Sequence, residues 1–307
     1  MNFYSDNPLN RRAELRTDNA LMKQYLDAET TRFIVVSDAK SLLRRQEQPE
    51  VAFLLRAELD DILTLAPIQV FLGTEGEEAY VALGLEGQHE QVESLLGHTY
   101  TFQDLRGVTP FLPRQHSALL AHARAMVYWH IRHKHCSDCG EPTRSQAGGH
   151  ERHCENCGKL HFPRTDTAVI VLISEGDACL LGRQAMWAPG QYATLAGFLE
   201  PGETLEQAVA REAHEETGVA LQSITYHSSQ PWPFPGTIMV GFMATATSRS
   251  INVNYDELED ARWFTRQEIA ESLQAGTFRL PSPVSISYRL IQDWFNLDAK
   301  YKLEDLL

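Results

Sequence analysis

The sequence has 307 residues, of which 43% are hydrophobic and 22% are charged, as in an ordinary globular protein. Its formal net charge of −14 argues against a broad, non-specific nucleic-acid surface, although one nucleotide or one RNA end could still be bound. No apolar run approaches the roughly 18 residues of a membrane span, and the N-terminal residues lack the apolar segment of a signal peptide. We therefore expect a cytoplasmic protein without a membrane partner, most naturally built from two domains.

Short apolar runs dominate the region that follows the first 30 residues. They cover residues 32–36, 51–55, 68–72 and 79–83, and polar or turn-forming residues separate them. This pattern predicts the strands of an antiparallel, β-rich domain with turns at 73–78 and 84–88. From about residue 117 the apolar residues recur with a helical period, which predicts a helix. No catalytic constellation is found here, so we expect a supporting domain.

Four of the five cysteines form two Cys-x-x-Cys pairs, Cys136 with Cys139 and Cys154 with Cys157. Four thiolates suit a tetrahedral Zn²⁺, and a closed four-cysteine site is structural rather than catalytic. A redox dithiol is the rival interpretation, and two pairs in tandem make it weaker. Several histidines nearby could compete as ligands: His133, His135, His150 and His153. The fifth cysteine, Cys179, is expected to be a buried core thiol.

The stretch GFLEPGETLEQAVAREAHEETGV, residues 197–219, contains a predicted helix. Thr204 followed by Gln207 is typical of a capping box, and Gly218 is a good helix stop. These signals place a helix at about 205–217, followed by a left-handed cap.

The last turn of this helix is predicted to carry three inward carboxylates. On a helical wheel, Glu212, Glu215 and Glu216 continue the apolar face that should contact the protein. Such carboxylates repel one another and are costly to desolvate unless a cation lies among them. Hard oxygen ligands suit Mg²⁺ or Mn²⁺. A solvated, Glu-rich surface is the alternative, and the wheel counts against it.

The stretch resembles the Nudix box, because it fits the pattern G-x5-E-x7-R-E-U-x-E-E-x-G-U (U apolar) at every fixed position. The resemblance implies hydrolysis of a nucleoside diphosphate linked to another group, on a mixed sheet between helices. It implies that Glu212, Glu215 and Glu216 are metal ligands, joined by the carbonyl of Ala196. It also implies that Glu203 and Arg211 form a structural pair.

Several further elements are predicted around the box. The apolar run 167–173 predicts a buried strand with a neighbour at 179–181, and residues 238–246 and 261–264 are strand-like. Residues 286–295 predict a closing helix. Between strands lies SQPWPFPGT, residues 229–237, whose three prolines stiffen an extended chain and hold two aromatic side chains. Bases and nicotinamide rings stack well on such surfaces. A proline-rich linker or peptide ligand is the alternative.

A four-cysteine zinc ribbon before a Nudix box, with SQPWPFP after it, resembles the NADH pyrophosphatase family. The resemblance implies an α+β protein in which a Nudix mixed-sheet α/β/α sandwich follows a zinc ribbon and a β-rich N-terminal domain. We expect the N-terminal Nudix-like support domain at 1–130, the zinc ribbon at 131–162 and the Nudix hydrolase domain at 163–307. The implied reaction splits NAD(H) into NMN(H) and AMP, and bacterial members also remove NAD caps from RNA 5′ ends.

The resemblance also implies a set of site residues. The segment that binds substrate comprises Gln230, Pro231, Trp232, Pro233, Phe234, Pro235, Gly236 and Thr237. Phe162 and Phe198 match positions where rings from the two subunits of a homodimer enclose the nicotinamide. Glu257 matches a glutamate outside the box that completes the metal site. Two departures concern Thr237, where the family motif ends in serine, and Ser287, where a similar enzyme has a substrate-contacting alanine.

Catalysis is then expected from divalent ions held by Glu212, Glu215, Glu216 and Glu257, which lower the pKa of a bound water. Glu216 is the first choice of general base and Glu257 the second. ADP-ribose or another ADP-linked metabolite is the alternative substrate. A non-catalytic zinc-ribbon protein that binds nucleotides or RNA is the alternative of another class, and the intact box favours the enzyme.

Overall fold

The structure is a computed structural model that describes residues 1–298, 300 and 302–306. The chain divides into two compact units. The first comprises residues 1, 3–165 and 232–236, and the second comprises residue 2, residues 166–231 and the described residues from 237 onward. Among the described residues, no helix combines the length and apolar character that a membrane crossing needs.

The first unit is built on a six-stranded sheet in the order β3-β2-β1-β5-β4, with β6 paired to β2. Its elements are α1 (Asn19–Asp27), β1 (Arg32–Ser37), β2 (Lys40–Arg44), β3 (Glu50–Val51), α2 (Asp60–Leu65), β4 (Ile68–Glu75), β5 (Glu78–Leu85), α3 (His89–Leu96), β6 (Tyr100–Asp104), α4 (Leu105–Val108) and α5 (Arg114–Arg132). The helix predicted from about residue 117 is confirmed as α5, which buries its apolar stripe against β4 and β5.

The prediction of a wholly antiparallel first sheet is wrong. β1 and β5 pair in parallel, with Arg32 opposite Tyr80 and Ser37 opposite Leu85. A run of apolar residues predicts burial but carries no information about the direction of its neighbour, so the sequence could not reveal this.

Three boundary predictions in this unit also fail. The run 51–55 is a strand only as far as Val51, and beyond it Leu54 makes one isolated bridge to Phe33 while being fully buried. The expected turn at 73–78 is shorter, because β4 continues through a bulge to Glu75. Gly73 lies in that bulge with φ of 139°, and a Cβ there would lie 2.3 Å from the Asn10 carbonyl oxygen. The second expected turn, at 84–88, begins only after Leu85 ends β5.

The cysteine-containing segment forms a separate three-stranded sheet in the order β7-β8-β9. Its strands are β7 (Thr143–Gln146), β8 (Glu151–Cys154) and β9 (Leu160–His161). Histidines fasten it to the rest of the first unit: the ring of His150 bonds the Phe71 carbonyl at 2.7 Å, and His130 bonds the Gly149 carbonyl at 2.7 Å. Burial lowers the pKa of both imidazoles to about 4, so both are neutral at pH 7.

The second unit contains a six-stranded sheet in the order β13-β14-β10-β11-β15, with β12 paired to β10. Its elements are β10 (Asp166–Glu175), β11 (Ala178–Arg183), β12 (Leu195–Phe198), α6 (Leu205–Thr217), β13 (Leu221–Trp232), β14 (Thr237–Ala246), β15 (Asp260–Thr265), α7 (Arg266–Gln274) and α8 (Ile286–Phe295). The strands predicted at 167–173, 179–181, 238–246 and 261–264 and the helix at 286–295 are confirmed. Cys179 is fully buried, as expected.

This second sheet lies between two layers of helix. Alternate side chains of β10 enter two separate cores: Val169, Val171 and Ile173 pack with α6, whereas Ile170 and Leu172 pack with α7 and α8. β10 is parallel to β14 and antiparallel to β11 and β12. The predicted α+β class, with a mixed-sheet α/β/α sandwich, is confirmed.

Candidate active site and zinc centre

The four predicted thiols converge in the first unit. The Sγ atoms of Cys136 and Cys157 lie 3.5 Å apart, as do those of Cys139 and Cys154, and all four lie within 4.8 Å of one another. Tetrahedral Zn²⁺ with bonds of roughly 2.3 Å requires sulfur atoms roughly 3.8 Å apart, so this set fits the ion. These four cysteines would hold a structural zinc.

Two matching turns shape this centre. The Gly140 N–H donates to the Cys136 carbonyl at 3.0 Å, and the Gly158 N–H donates to the Cys154 carbonyl at 2.8 Å. Both glycines have positive φ, 79° and 74°, which other residues rarely adopt.

The nearby histidines do not join the thiols. Within the described part of the chain, these cysteines alone bring three or more His, Cys, Asp or Glu ligand atoms within 4.8 Å. The ring of His133 instead bonds the Trp129 carbonyl at 2.9 Å, and that of His150 bonds a carbonyl of β4. The competing ligand set therefore has no geometric support.

In the second unit, α6 has the predicted bounds and caps. The Thr204 side chain accepts from the Gln207 N–H at 3.2 Å, and the Gln207 amide oxygen accepts from the Thr204 N–H at 2.8 Å. Gly218 ends the helix at φ 69°, in the left-handed region. The helix prediction is confirmed.

The carboxylates of α6 are not all directed inward. Glu212 and Glu216 are 9% and 6% exposed, but the side chain of Glu215 is 51% exposed. The expectation of three inward carboxylates is therefore wrong for Glu215. The Glu215 carboxylate pairs with Arg211, one turn before it, whose Nη1 lies 3.0 Å from Glu215 Oε2.

Arg211 organises this end of the site. Its guanidinium donates to both oxygens of Glu203, at 2.6 and 3.0 Å, and to Glu212 Oε1 at 2.8 Å. A further N–H donates to the Phe198 carbonyl at 2.9 Å. Hydrogen bonds from Arg211 lower the pKa of Glu203, and bonds to the carboxylates raise the pKa of Arg211. The predicted pairing of Glu203 with Arg211 is confirmed as an ion pair.

Within this group, the pKa of Glu216 is raised most clearly. Its Oε2 is buried and accepts no hydrogen bond from any described residue. Burial first, then the charges of Glu212 and Glu257, raise its pKa to about 8. Burial also raises the pKa of Glu212, against the opposing influence of Arg211. A buried acceptor without a donor, whose pKa is raised by the charges of Glu212 and Glu257, fits a hard cation such as Mg²⁺ or Mn²⁺.

Gly197 is required by the approach of β12 to α6. A Cβ at this position would lie 1.9 Å from the carboxyl carbon of Glu212, although the backbone of Gly197 is not strained. The preceding residue, Ala196, is exposed and pairs with Ile170 of β10. The strand thus places Gly197 against the carboxylate of Glu212, and Ala196 is the residue before it.

An asparagine loop, which the sequence reasoning missed, connects Glu257 to α6. The Asn254 N–H donates to the Glu216 carbonyl at 2.9 Å, and the Asn254 side-chain amide donates to Glu257 Oε1 at 3.3 Å. The Asn252 N–H donates to the Thr217 carbonyl at 2.8 Å. The asparagine residue type could have indicated the side-chain bond to Glu257, but not the two backbone bonds to α6.

The proline-rich segment is mostly engaged within the protein. Gln230 is fully buried; its Nε2 donates to the Val284 carbonyl at 2.8 Å, and its Oε1 accepts from the Ile286 N–H at 2.8 Å. These bonds hold the start of α8, so they favour an anchoring role for Gln230. Pro231 and Pro235 are exposed, Gly236 is half-buried, and Pro233 and Thr237 are buried.

The two aromatic rings of this segment pack in the first unit. Their centroids lie 5.1 Å apart, and that of Tyr4 lies 6.4 Å from Trp232 and 6.2 Å from Phe234. The guanidinium carbons of Arg106 and Arg124 lie 4.3 and 4.7 Å from the Phe234 ring centroid. These contacts favour packing over substrate stacking for Phe234.

The remaining predicted residues differ in exposure. Ser287 is buried, and its Oγ accepts from the Thr194 N–H at 3.1 Å and lies 2.8 Å from the Thr194 hydroxyl. Phe162 and Phe198 are 59% and 61% exposed, which is unusual for rings of this size. Ser287 is thus held by the protein, whereas both phenylalanine rings are accessible.

Family models agree with this architecture. Three family models match the chain in succession: "NADH pyrophosphatase-like rudimentary NUDIX domain" at residues 30–129, "NADH pyrophosphatase zinc ribbon domain" at 131–162 and "NUDIX domain" at 163–281. A Nudix hydrolase structure from Nitrosomonas europaea is 22% identical, with a TM-score of 0.45, and the match covers 55% of this chain and 94% of that one.

Two curated relatives match along almost the whole chain. The NAD-capped RNA hydrolase NUDT12 of Homo sapiens is 33% identical, over 97% of this chain and 74% of that protein. The NAD-capped RNA hydrolase of Schizosaccharomyces pombe is 30% identical, over 97% of this chain and 95% of that protein. The chain belongs to the NADH pyrophosphatase family of Nudix hydrolases.

Proposed function

We propose that this protein hydrolyses the pyrophosphate bond of NAD(H), giving NMN(H) and AMP, and removes NAD caps from RNA 5′ ends. The observation that carries the proposal is the buried carboxylate of Glu216, whose Oε2 accepts no hydrogen bond from a described residue, among the other glutamates of the box. Relatives named NAD-capped RNA hydrolases, similar along nearly the whole chain, support the choice of substrate.

In this proposal Glu212, Glu215, Glu216 and Glu257, with the carbonyl of Ala196, hold the catalytic cations. When bound, Mg²⁺ or Mn²⁺ neutralises pyrophosphate charge and makes a water more acidic. Arg211 orients Glu212 and Glu215 through its ion pairs, and Asn254 orients Glu257.

The reaction needs a base and an attacked phosphorus. Glu216 is the proposed base, with Glu257 the second choice, because Oε2 of Glu216 is not occupied by a described donor. The water oxygen bonds to one phosphorus, the bridging P–O bond breaks, and each product leaves with one phosphate. No covalent enzyme intermediate is required.

Substrate contacts are proposed for Phe162 and Phe198, whose exposed rings would stack on the nicotinamide. The segment from Gln230 to Thr237 would shape the binding site, with Gln230 and Phe234 acting through packing. Ser287 would act by positioning Thr194. We also propose a homodimer and a cytoplasmic location, where cysteines remain reduced for zinc.

The deciding experiment incubates the pure protein with NADH, NAD, ADP-ribose or NAD-capped RNA, with Mg²⁺ or Mn²⁺, and identifies products by mass spectrometry. We expect NMN(H) and AMP from the dinucleotides and a 5′-monophosphate end on the RNA. Hydrolysis of ADP-ribose alone would contradict the proposal. Sedimentation of the active protein tests the dimer, and a fully active monomer would exclude it.

A further inference from the structure

The first unit carries a basic groove that the proposed pyrophosphate chemistry does not use. The groove has a volume of ≈ 910 Å³. One wall comes from β2 and the loop after it, and the other comes from the chain between Phe102 and Phe111. Lys40, Arg44 and Arg45 line the groove together with the ring of Phe111.

These cations are available to an anionic partner. Lys40 and Arg45 are exposed, and neither makes an ion pair with any residue that the structure describes. Lys40 and Arg44 lie on the same face of β2, because side chains alternate along a strand. The Arg44 guanidinium carbon lies 5.2 Å from the ring centroid of Tyr100, the residue opposite Arg44 on the neighbouring strand β6. This contact holds one cation in place at the wall of the groove.

Two acids also line the groove, and they are fewer than the cations. Glu47 and Asp104 are exposed. The Asp104 carboxylate caps α4 by accepting from the Arg106 N–H at 2.9 Å, so part of its charge is already engaged. The chain as a whole has 41 acidic and 27 basic side chains. With three cations and two acids, the groove lining is net positive in a chain that is net negative, which favours a polyanion there.

An aromatic side chain in the groove indicates which kind of polyanion it binds. Phe111 is 66% exposed, and an exposed ring beside cations can stack a base while the cations contact phosphates. A single-stranded nucleic acid presents accessible bases and phosphates in alternation. We propose that this groove binds the single-stranded RNA that follows a capped 5′ end; the inference rests on the proposed function and adds where the body of the RNA is held.

The test compares two charge-reversal variants of the full chain, K40E/R45E in the groove and K23E/R132E elsewhere on the same unit. All four side chains are exposed, so both variants undergo the same change in net charge. For an NAD-capped RNA of about 20 nucleotides, K40E/R45E should raise KM about tenfold or more at low salt, and K23E/R132E much less. The slope of log KM against log salt should fall by about one or more, because each lost phosphate contact removes about 0.7. Hydrolysis of NADH should be unchanged in both.

Phe111→Ala separates stacking from charge. It should raise KM for the capped RNA about fivefold, the scale of one lost base stack, and leave the salt slope unchanged. Its activity on NADH should equal that of the wild type.

Three results would overturn the groove assignment. One is a KM for capped RNA in K40E/R45E equal to that in K23E/R132E; another is an equal loss on NADH and on RNA. The third is loss of binding to phosphatidylserine vesicles with unchanged RNA binding, which would indicate an anionic membrane instead. If the wild type hydrolyses neither substrate, the proposed function fails, but fluorescence anisotropy with uncapped RNA still tests the groove.

Discussion

The thiol cluster and the carboxylate cluster both suit metal ions, but they differ in how complete they are without one. The four Sγ atoms lie within 4.8 Å of one another, and two matching glycine turns shape the loops that carry them. The carboxylates differ in their partners: Arg211 bonds Glu212 and Glu215, while Glu216 has a buried oxygen without a described donor.

The difference separates a site built for stability from one built for chemistry. A closed set of four protein ligands leaves no position for substrate, so its ion serves the fold. In the carboxylate set, burial and like charge raise the carboxyl pKa values, so the ionised carboxylates are unfavourable on their own. A bound cation and substrate can relieve this cost. The five variants and conditions below test this contrast, from the largest expected effect to the smallest.

Cys154→Ser should have the largest effect, because binding of structural zinc is worth on the order of 10 kcal/mol of folding free energy. Zinc content should fall from one per chain to almost none, and β7 to β9 should become sensitive to proteases. Elemental analysis and limited proteolysis measure both. Cys179→Ala, which removes the core thiol, should keep its zinc. Normal zinc content and melting in Cys154→Ser would show that the thiols are not the ligands.

Glu216→Gln should lower turnover at least about a hundredfold, the scale of acid-base and metal effects, and leave zinc content unchanged. The loss comes from a ligand or base, not from the fold. Steady-state kinetics on NADH, with melting curves of the same samples, measures the effect. Glu206→Gln, on the exposed first turn of the same helix, is the matched control. Full turnover in Glu216→Gln would refute its catalytic role.

Gly197→Ala should reduce turnover about tenfold or more, because its Cβ would displace the Glu212 carboxylate. The kinetic defect should appear in kcat for NADH, and adding more Mg²⁺ should not restore it fully. Gly107→Ala serves as control, since a Cβ there meets no atom within 4 Å. Equal kinetics in the two variants would mean that β12 simply moves aside.

Phe162→Ala should weaken NADH hydrolysis about tenfold, the scale of one lost stack, with a smaller effect on ADP-ribose, which has no nicotinamide. The ratio of kcat/KM for the two substrates is the measurement. Phe111→Ala, which removes another exposed ring of the first unit, should change neither substrate. If Phe162→Ala lowers both activities equally, the ring packs the fold and does not contact nicotinamide.

The smallest effect concerns the pH dependence of stability without divalent ions. The pKa of Glu216 is about 8 in the folded protein against 4.5 as a free side chain, so the folded state binds more protons between these values. Stability should therefore fall as pH rises from about 4.5 to 8, by up to about 1.4 kcal/mol for each pH unit. Denaturant melts with chelator measure it. Glu216→Gln should flatten the profile, and an unchanged slope would contradict the assignment.

The helix and the zinc centre could be predicted because their signals are local. The capping box of Thr204, the glycine stop at Gly218 and the Cys-x-x-Cys spacing each act within a few residues. The buried strand β10 was equally clear, since a continuous β-branched run fits a strand covered on both faces.

The failures all depend on partners distant in sequence or on competition within the site. The parallel pairing of β1 with β5 is a tertiary choice. Glu215 is exposed and shares Arg211 with Glu203 and Glu212, an arrangement that a helical wheel cannot represent. The anchoring bonds of Gln230 depend on where α8 begins. In each case the residue type was informative, but the sequence did not identify the partner that the residue contacts.

The aromatic hairpin that joins β13 to β14 has a consequence for the order in which the chain becomes complete. Residues 232–236 belong to the first unit, although the strands on either side belong almost entirely to the second. Tyr4, near the start of the chain, therefore meets Trp232 and Phe234 only after most of the second sheet has been synthesised. During translation Tyr4 therefore lacks these two ring contacts until residues 232–234 have been made, and a fragment cut after residue 165 would lack them altogether.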